Sequence, residues 1–465
     1  MKKPQLQTLV IFCFLMLAIV KTTCAGPHIS GRGWKAGVAN IVITPKQPLW
    51  LAGYANRDHV SEGKLTDLYA KALVLEDETG KQAVLITADL LSIPKAASDT
   101  IRKHLATRFH LSKSQIIINA SHTHTGPVLA NALVDIYPFD ESQQKKIVEY
   151  TSTLCNKIVN MVGKALHSMQ EVDIYAGNGV TRFQVNRRNN IEAALTSQIE
   201  LKGPNDYAVP VIKLVNKRGK LIAIAFGYAC HNTVLSGYQF SGDYAGYAQL
   251  ALEKTYSGAT ALFFQGCGAN QNPLPRRTIQ LAKQYGEELA ASVKRVIDED
   301  MKLLTPQLQT AYVEIDLPLN VTSKEELLVK AKQPLERYQK AWVLRLLKKM
   351  DAGDSLITSY PYPVQVWTLG EQPIFTLGGE VVVEYAIELK RLFGPEIFVL
   401  GYSNDVMAYI PTLAILREGG YEGETSQIVY GLPGTWKANI ETLIIQQALK
   451  LAKEVGLKFP GEKIN

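Results

Sequence analysis

The chain is organised around the stretch Ile116-Ile117-Ile118-Asn119-Ala120-Ser121-His122-Thr123-His124-Thr125-Gly126-Pro127. Its three isoleucines form a short β-branched run, which is typical of a buried strand. Two of the chain's eight histidines follow that run, two residues apart, and Gly126-Pro127 then breaks any regular structure. Because open α/β sheets bind their ligands where strands end in loops, this stretch is a candidate ligand site.

Predicted strands and helices alternate through the rest of the chain. Three hairpins are predicted, within residues 69–91, 209–228 and 364–377. A long helix is predicted from Asp140, a suitable N-cap, to about Met169. Because strands, hairpins and helices interleave throughout, the sequence predicts an α/β fold with mixed β-sheets flanked by helices.

Three further predicted helices bear on function. The basic amphipathic segment from Ser323 to Met350 leaves peripheral membrane contact open, although a solvated helix face explains the same pattern. Another helix closes the chain from Trp436 to Val455. A third is predicted to begin at Gly378-Gly379-Glu380. The carboxylate of Glu380 is then either a charge that caps this helix or a metal ligand.

Net charge argues against a nucleic-acid partner. The chain of 465 residues carries a formal charge of +7, and residues 1–25 contribute Lys2, Lys3 and Lys21 but no acidic residue. Without that segment the charge is 7 − 3 = +4, and the sequence has no basic patch with interleaved aromatic residues. A small molecule or a lipid is the expected partner, and the oligomeric state is left open.

Residues 1–25 are predicted to be a signal peptide. Two lysines precede an unbroken apolar run from Leu9 to Val20, and small residues follow near Ala25. Lipid attachment at Cys24 is the weaker alternative, because Lys21 stands where a lipobox needs an apolar residue. The protein is therefore expected to be secreted or periplasmic. The remaining cysteines, Cys155, Cys230 and Cys267, are odd in number, which argues against a disulfide framework.

The histidines are the main candidates for chemistry. Neutral imidazole is a common zinc ligand, so His122 and His124 predict a metal site, although local hydrogen bonding within a polar loop is an equally simple interpretation. His231 also follows a β-rich run and could supply a third ligand, or it could be a satisfied core residue. Tyr409 and Tyr421 lie in the last loop, where tyrosines usually serve packing.

The order of several motifs resembles the neutral/alkaline non-lysosomal ceramidase family. Its most specific part is the string from Ser121 to Pro127, and the resemblance runs through most of the chain after residue 25. The other motifs are Gly37-Val38-Ala39 to Thr44-Pro45, Leu68 to Leu75, Asn186-Arg187, Cys230-His231, Ser241 to Ala248, Gly379-Glu380, Asn404 to Tyr409 and Tyr421-Glu422.

The resemblance implies a zinc site and a set of catalytic residues. The family's zinc ligands correspond here to His122, His231, Glu380 and Tyr409. Residues that act on the substrate correspond to His124, Arg187 and Tyr421, although Gly420 precedes the tyrosine where the family has arginine. Bound zinc lowers the pKa of its water to roughly 7, which makes that water a nucleophile.

Two departures from the family matter. The family's serine in a Gly-Asp-x-Ser-Pro string is replaced by Asn272, which is no nucleophile. Hydrolysis here would therefore rely on the zinc-bound water. Cys267 is a conceivable substitute nucleophile, but a small residue in a tight glycine-rich turn explains it better.

The second departure concerns domain organisation. The immunoglobulin-like domain that follows the catalytic domain in the family is not expected, so residues 26–465 are predicted to form a single catalytic domain.

Three functional hypotheses follow. The first is a secreted zinc-dependent hydrolase of amide (N-acyl) bonds, ceramidase-like. The second keeps the metal site and assigns it a different substrate, such as an acylated sugar or an ester. The third is a binding protein that retains the fold without catalysis, which the capable residues at all four ligand positions disfavour.

Overall fold

Two β-sheets packed face to face form the middle of the molecule. The computed structural model describes residues 33–458, so the predicted signal peptide lies outside the described residues. Within that range the α-helices α1 to α10 span Lys95–Phe109, Glu141–His167, Asp243–Thr255, Ile279–Asp298, Lys324–Lys330, Arg337–Asp351, Val383–Phe393, Leu413–Glu418, Ser426–Val429 and Ile440–Glu454.

Short and long strands build these sheets and three smaller ladders. Strands β1 to β20 span Trp34–Val42, Gly63–Lys64, Tyr69–Glu76, Gln82–Ala88, Ile116–Ala120, Gln170–Val180, Gln184–Asn186, Ala208–Asn216, Leu221–Tyr228, Gln239–Phe240, Thr260–Gln265, Gln271–Pro273, Lys302–Leu303, Leu308–Val321, Ser359–Leu369, Gln372–Leu377, Glu380–Val381, Phe398–Leu400, Tyr409–Ile410 and Gly434–Trp436.

The larger sheet contains nine strands in the order β11-β9-β8-β6-β1-β3-β4-β5, with β13 paired to β6. Strands β4 and β5 run parallel, as do β9 and β11, whereas the pairs between them are antiparallel. The second sheet has the order β18-β16-β15-β14-β20, with only β16 and β18 parallel. Both sheets are mixed, as the sequence predicts.

An apolar core lies between the sheets. Leu73, Ile117 and Phe264 of the larger sheet pack with Trp367 and Ile374 of the second. Helices α1 and α2 cover part of the outer face of the larger sheet, and α3 and α4 cover another part. Helices α7 and α10 cover the second sheet. The prediction of mixed sheets flanked by helices is therefore confirmed.

The sheets also touch at one end, and this end carries the site. Isolated bridges join Asn119 to Ser403 and Gly266 to Leu400, so the carboxyl ends of β5, β11 and β18 meet there. Because parallel strands of both sheets end at this edge, the loops that follow them are held close together.

Three predicted helix boundaries are wrong. The segment from Ser323 to Met350 forms two helices, α5 and α6, because a turn containing Pro334 interrupts it. Helix α10 begins at Ile440 rather than Trp436, because Trp436 pairs with Leu319 in the second sheet. Helix α7 begins at Val383, so Glu380 belongs to the short strand β17 instead of a helix N-terminus.

Neither disulfides nor membrane-spanning helices occur in the described range. Cys155, Cys230 and Cys267 are free and buried. No helix within residues 33–458 combines the length and apolarity needed to cross a bilayer. The apolar side of α6, with Trp342 and Leu346, packs in a small internal cluster with Leu327 of α5. Internal packing thus explains the amphipathic pattern of this segment.

Candidate metal and catalytic site

The loop after β5 brings both histidines of the opening stretch to one cavity. His122 has a positive φ of 62°, which bends the chain as the strand ends. The hydroxyls of Thr123 and Thr125 both donate to the carbonyl of Ser241, at 2.7 and 2.8 Å. The threonine side chains therefore face Ser241. The side chains of His122 and His124, which alternate with them along the loop, line the cavity.

Backbone carbonyls fix two imidazole rings. Nδ1 of His122 lies 2.7 Å from the carbonyl oxygen of Leu91, and Nδ1 of His231 lies 2.7 Å from that of Gly268. A carbonyl oxygen only accepts, so both Nδ1 atoms carry a proton, and the Nε2 atom of a neutral ring in this tautomer is the one that can bind a metal. Gly268 is needed for this approach, since a Cβ there would lie 2.7 Å from the Cys230 nitrogen.

Glu380 and Tyr409 are paired directly across a two-stranded parallel ladder. Strands β17 and β19 place Glu380 opposite Tyr409 and Val381 opposite Ile410. Gly379 precedes this ladder with a φ of +75°, and a Cβ there would meet the Ala408 carbonyl at 2.7 Å. The ladder therefore brings two residues 29 positions apart in the chain (409 − 380) to one point.

The four ligand candidates converge. Oε2 of Glu380 lies 3.1 Å from Nε2 of His122 and 3.1 Å from Nε2 of His231. Oη of Tyr409 lies 3.3 Å from Nε2 of His231. Zinc bonds of about 2.0–2.2 Å at tetrahedral angles separate neighbouring donor atoms by roughly 3.3 Å. The observed separations have that size.

The protonation states fit a cation at this point. Burial, followed by the charge of Arg187, lowers the pKa of His231 to about 4. Burial alone would raise the pKa of Glu380, but its contacts with His122 and His231 outweigh this and lower it. At neutral pH a carboxylate oxygen thus faces an imidazole lone pair with no proton between them. A bound cation removes that repulsion, so the donor set suits a metal ion.

His124 lies close enough to be an alternative ligand. Its Nε2 is 3.2 Å from Nε2 of His122, and the ligand atoms of His122, His124 and His231 all lie within 4.8 Å of one another. Among the described residues, however, Nδ1 of His124 has no hydrogen-bond partner. Metal-bound histidines almost always donate through their second nitrogen, which favours His122 and His231 as ligands. Both ring nitrogens of His124 are then available to contact a substrate.

The position of His124 is nevertheless rigid. The buried guanidinium of Arg57 donates to the His124 carbonyl at 2.9 Å and to the Gly237 carbonyl at 2.9 Å. The ring of Tyr54 lies 4.9 Å from the His124 ring. Burial, with the neighbouring His122 and His231, lowers the pKa of His124 well below 6.5. His124 is therefore neutral at pH 7.

Arg187 is oriented by three partners. Its Nε donates to Glu422 at 2.7 Å, and its Nη2 donates to Oη of Tyr409 at 3.1 Å. Its Nη1 lies 3.4 Å from Oδ1 of Asn272. The guanidinium carbon also lies 5.5 Å from the ring centre of Tyr421. A fixed positive charge thus stands beside the ligand candidates, where negative charge would develop on a substrate.

Asn272 and Tyr421 border the same region. Asn272 is buried in strand β12, opposite Val185 of β7. Tyr421 begins a π-helical turn at Tyr421–Thr425, and its ring centre lies 5.2 Å from that of Tyr409. Tyr421 is 44 % exposed, which places it at the entrance rather than the floor of the site.

Two tyrosines that sequence reasoning missed contact Glu380. Oη of Tyr430 donates to Oε1 at 2.5 Å, and Oη of Tyr402 donates to Oε2 at 3.4 Å. Glu422 and Arg57 were also missed, although they hold Arg187 and His124. Glu422 follows Tyr421 directly, so its position in that motif was an available signal. No comparable signal marks the others.

Cys267 does not reach the cavity. It is fully buried in the core of the second sheet, and burial raises the pKa of its thiol well above 9. A buried protonated thiol is a poor nucleophile. The eight residues proposed from the sequence, in contrast, lie together. They are His122, His124, Arg187, His231, Asn272, Glu380, Tyr409 and Tyr421.

Solved ceramidases share this fold. The crystal structure of neutral ceramidase from Pseudomonas aeruginosa superposes with a TM-score of 0.70 and 18 % identity, covering 93 % of this chain and 76 % of that one. A ceramidase complexed with C2 gives a TM-score of 0.70 at 16 % identity, covering 93 % of this chain and 77 % of the other. At such low identity these matches establish the fold alone.

Relatives that are similar in sequence align with a shorter part of this chain than the solved structures do. Neutral ceramidase of Drosophila pseudoobscura pseudoobscura is 25 % identical over 256 residues, which are 52 % of this chain and 35 % of that protein. Neutral ceramidase B of Dictyostelium discoideum is 26 % identical over 222 residues, 45 % of this chain and 30 % of the relative. The chain thus matches about a third of the length of these curated relatives.

A family profile matches a region of similar length. The profile described as neutral/alkaline non-lysosomal ceramidase, N-terminal, matches residues 34–276, more than half of the 465-residue chain. The matched region contains His122, His124, Arg187, His231 and Asn272. This chain therefore belongs to the neutral/alkaline non-lysosomal ceramidase family.

Proposed function

We propose that this protein is a zinc-dependent hydrolase of amide (N-acyl) bonds, ceramidase-like in its chemistry. One observation carries the proposal: the Nε2 atoms of His122 and His231 both lie 3.1 Å from the same carboxylate oxygen of Glu380, while backbone carbonyls hold both Nδ1 atoms. Donor atoms at this spacing match the ligand shell of one zinc ion. Family membership supports the hydrolase class.

The proposed zinc ligands are His122, His231, Glu380 and Tyr409. Nitrogen and oxygen donors at tetrahedral spacing suit zinc. Burial, reinforced by Glu380, raises the pKa of Tyr409 well above 10, while the charge of Arg187 offsets part of this rise. Hydrogen bonding from Arg187 stabilises the tyrosine oxygen as it loses its proton to become a ligand. When bound there, zinc supplies a Lewis acid and activates water at neutral pH.

The remaining residues would act on the substrate. Arg187, held by Glu422, would stabilise the negative charge that develops on the carbonyl oxygen. Tyr421 stands at the entrance beside it and would donate a hydrogen bond to the same oxygen or to the leaving group. Neutral His124 would accept a proton from the attacking water and return it to the leaving amine.

Asn272 has a supporting role in this proposal. Its side chain cannot attack a carbonyl, and the buried Cys267 does not replace the missing serine. Asn272 instead accepts a hydrogen bond from Arg187 and so helps to fix the guanidinium. We accordingly propose direct attack by water, with no covalent bond between protein and substrate. Secretion, proposed from residues 1–25, would place this activity outside the cytoplasm.

Metal analysis and turnover together test the proposal. The purified protein should contain about one zinc per chain, and chelation should abolish hydrolysis, lower the melting temperature and be reversed by zinc. His122→Ala should lose both zinc and activity, whereas His104→Ala in helix α1 should keep both. Absence of zinc from the purified protein, or full activity in His122→Ala, would overturn the proposal. Zinc binding without hydrolysis of any N-acyl or O-acyl compound would favour the binding-protein hypothesis.

A comparison of amides with esters separates the two hydrolase hypotheses. Ceramide, an acylated sugar and a simple ester should be assayed with the same zinc-loaded enzyme. For each substrate the rate enhancement over the uncatalysed reaction is compared. A larger enhancement for an amide than for the ester with the same acyl group supports the N-acyl assignment. A preference for the ester or the acylated sugar would assign the site to the alternative substrate class.

A further inference from the structure

The cavity in front of the proposed zinc ligands is small and mostly apolar. It has a volume of about 130 Å³ and is bordered by His122, His124, Glu380, Tyr409 and Tyr421 on the polar side. Its other walls are mainly apolar, with Leu91, Leu133, Ile136, Tyr137, Tyr338 and Val429. A substrate group that occupies it is therefore apolar and lies next to the reacting carbonyl.

Helix α6 closes one side of this cavity. Tyr338, in the first turn of the helix, contributes directly to the wall. Arg337 beside it donates to the carbonyl of Ile136 at 3.2 Å and to that of Ala55 at 3.3 Å. Both carbonyls belong to segments that themselves form cavity wall, because Ala55 and Ile136 line it. These hydrogen bonds hold the first turn of α6 against the cavity wall.

A second contact fastens the same helix further along. The guanidinium of Arg345 forms two hydrogen bonds with Asp135, from Nε to Oδ1 at 2.8 Å and from Nη2 to Oδ2 at 2.7 Å. Nη2 also donates to the carbonyl of Gly431 at 2.9 Å. The Asp135 side chain is 4 % exposed, so water screens this bidentate pair poorly. The helix therefore holds its position, and the cavity keeps its size.

The volume limits what the cavity can hold. A protein cavity of about 150 Å³ lined by apolar side chains holds one benzene molecule, which has roughly six heavy atoms. The cavity here is slightly smaller. A long-chain acyl group has roughly three times as many heavy atoms as benzene, so it exceeds this space. An acyl chain of two to four carbons fits.

We infer that this site selects substrates with a short acyl group, of about two to four carbons, and that helix α6 sets this limit through Tyr338. The inference rests on the proposed function, since it assigns the acyl specificity of that hydrolase. In this binding mode the leaving amine or alcohol would face the entrance of the cavity, beside Tyr421, which is 44 % exposed. The chain length of the acyl group, rather than the size of the leaving group, decides turnover.

A series of amides of one fluorogenic amine tests the inference. The acetyl, butyryl, octanoyl and palmitoyl amides are compared by kcat/KM with zinc-loaded enzyme, all in the same cyclodextrin buffer. We expect kcat/KM to be at least tenfold higher for the butyryl than for the octanoyl amide, because oversized groups must displace packed side chains. Equal or higher kcat/KM for the octanoyl or palmitoyl amide would overturn the inference.

One variant tests whether the helix imposes the limit. Tyr338→Ala removes a wall of the cavity and should raise the octanoyl-to-butyryl ratio of kcat/KM at least tenfold. The control is Leu344→Ala on the same helix, at a side chain that is 54 % exposed and away from the cavity, and its ratio should not change. An unchanged ratio in a folded Tyr338→Ala variant would contradict the role of the helix.

A binding measurement keeps this inference separate from the proposed function. Calorimetry with butyrate and octanoate, the products of hydrolysis, reports cavity size without requiring turnover. Tighter binding of butyrate supports the inference, and tighter binding of octanoate overturns it. Failure to hydrolyse any amide or ester would refute the proposed function, yet these two affinities would still decide the size limit. Conversely, rapid cleavage of the palmitoyl amide would refute the size limit alone.

Discussion

Tyr430 donates a hydrogen bond of 2.5 Å to Oε1 of Glu380, while Oε2 of the same carboxylate faces His122 and His231. One oxygen of Glu380 is thus left for a metal, and the other is held by a phenol 50 residues further along the chain. Hydrogen-bond partners of this kind orient metal ligands and tune their basicity.

Tyr430→Phe should therefore weaken zinc binding. Loss of such a supporting hydrogen bond typically costs roughly 10–100-fold in metal affinity. Activity should return when zinc is raised to saturate the variant. Competition with a fluorescent chelator measures the affinity, and Tyr150→Phe is the matched control, because Tyr150 donates to the Ile43 carbonyl at 2.6 Å outside the site. Unchanged affinity in Tyr430→Phe would contradict this role.

Arg187→Lys should reduce turnover without removing zinc. Arg187 uses separate nitrogens for Glu422, Tyr409 and Asn272, and a lysine ammonium cannot reproduce that fork. Loss of a preorganised donor near the developing oxyanion costs roughly 100–1,000-fold in kcat. Zinc content and kcat are measured on the same sample. Arg276→Lys, at an ion pair with Glu192 outside the cavity lining, should leave both unchanged, and a normal kcat in Arg187→Lys would refute the assignment.

Asn272→Ala should retain turnover within about tenfold of the wild type, because the proposed attack by water needs no side-chain nucleophile. The remaining loss reflects the contact with Arg187 at 3.4 Å. Cys267→Ala should retain turnover as well, since the thiol lies in the core of the second sheet. Steady-state kinetics of both zinc-loaded variants check this. If either variant is as inactive as His122→Ala, its side chain takes a direct part in the chemistry.

Glu314→Gln should change the acid dependence of stability. Partial burial alone would raise the pKa of Glu314, but hydrogen bonds from Lys113, Tyr312 and Lys95 outweigh it and lower the pKa to about 2. A carboxyl group whose pKa is lowered by folding stabilises the folded state above pH 4.5, which is its pKa in the unfolded chain. That contribution is lost as the pH falls toward 2.

The free energy of unfolding, measured by urea titration, should reveal this loss. At pH 7 the Glu314→Gln variant should be less stable than the wild type by about 1 kcal/mol, as for a partly exposed ion-pair network. The difference should shrink below pH 4.5 and disappear near pH 2. Glu200→Gln, at an exposed carboxylate, should show no difference at any pH. A constant deficit from pH 7 to pH 2 would contradict the assigned contacts.

Much of the fold was predictable because its signals are local. The β-branched run at Ile116-Ile117-Ile118 and the helical spacing after Asp140 each reflect the burial of one side of one element. Boundaries were wrong where partners distant in sequence decide them. Trp436 extends a strand because Leu319 is available to pair with it, and no signal next to Trp436 reveals that partner.

By itself the sequence determined which residue types could hold a metal, and where the chain turns to present them. His122, His231, Glu380 and Tyr409 were proposed from strand ends and from the order of motifs. Only the tertiary structure decided how these side chains are held. The carbonyls of Leu91 and Gly268 select the ring nitrogens that face Glu380. The size of the cavity depends on Tyr338, which lies more than 200 residues from His122 (338 − 122 = 216). Such contacts arise when two packed sheets and their covering helices bring distant segments together, and their energies depend on distances that no local pattern encodes.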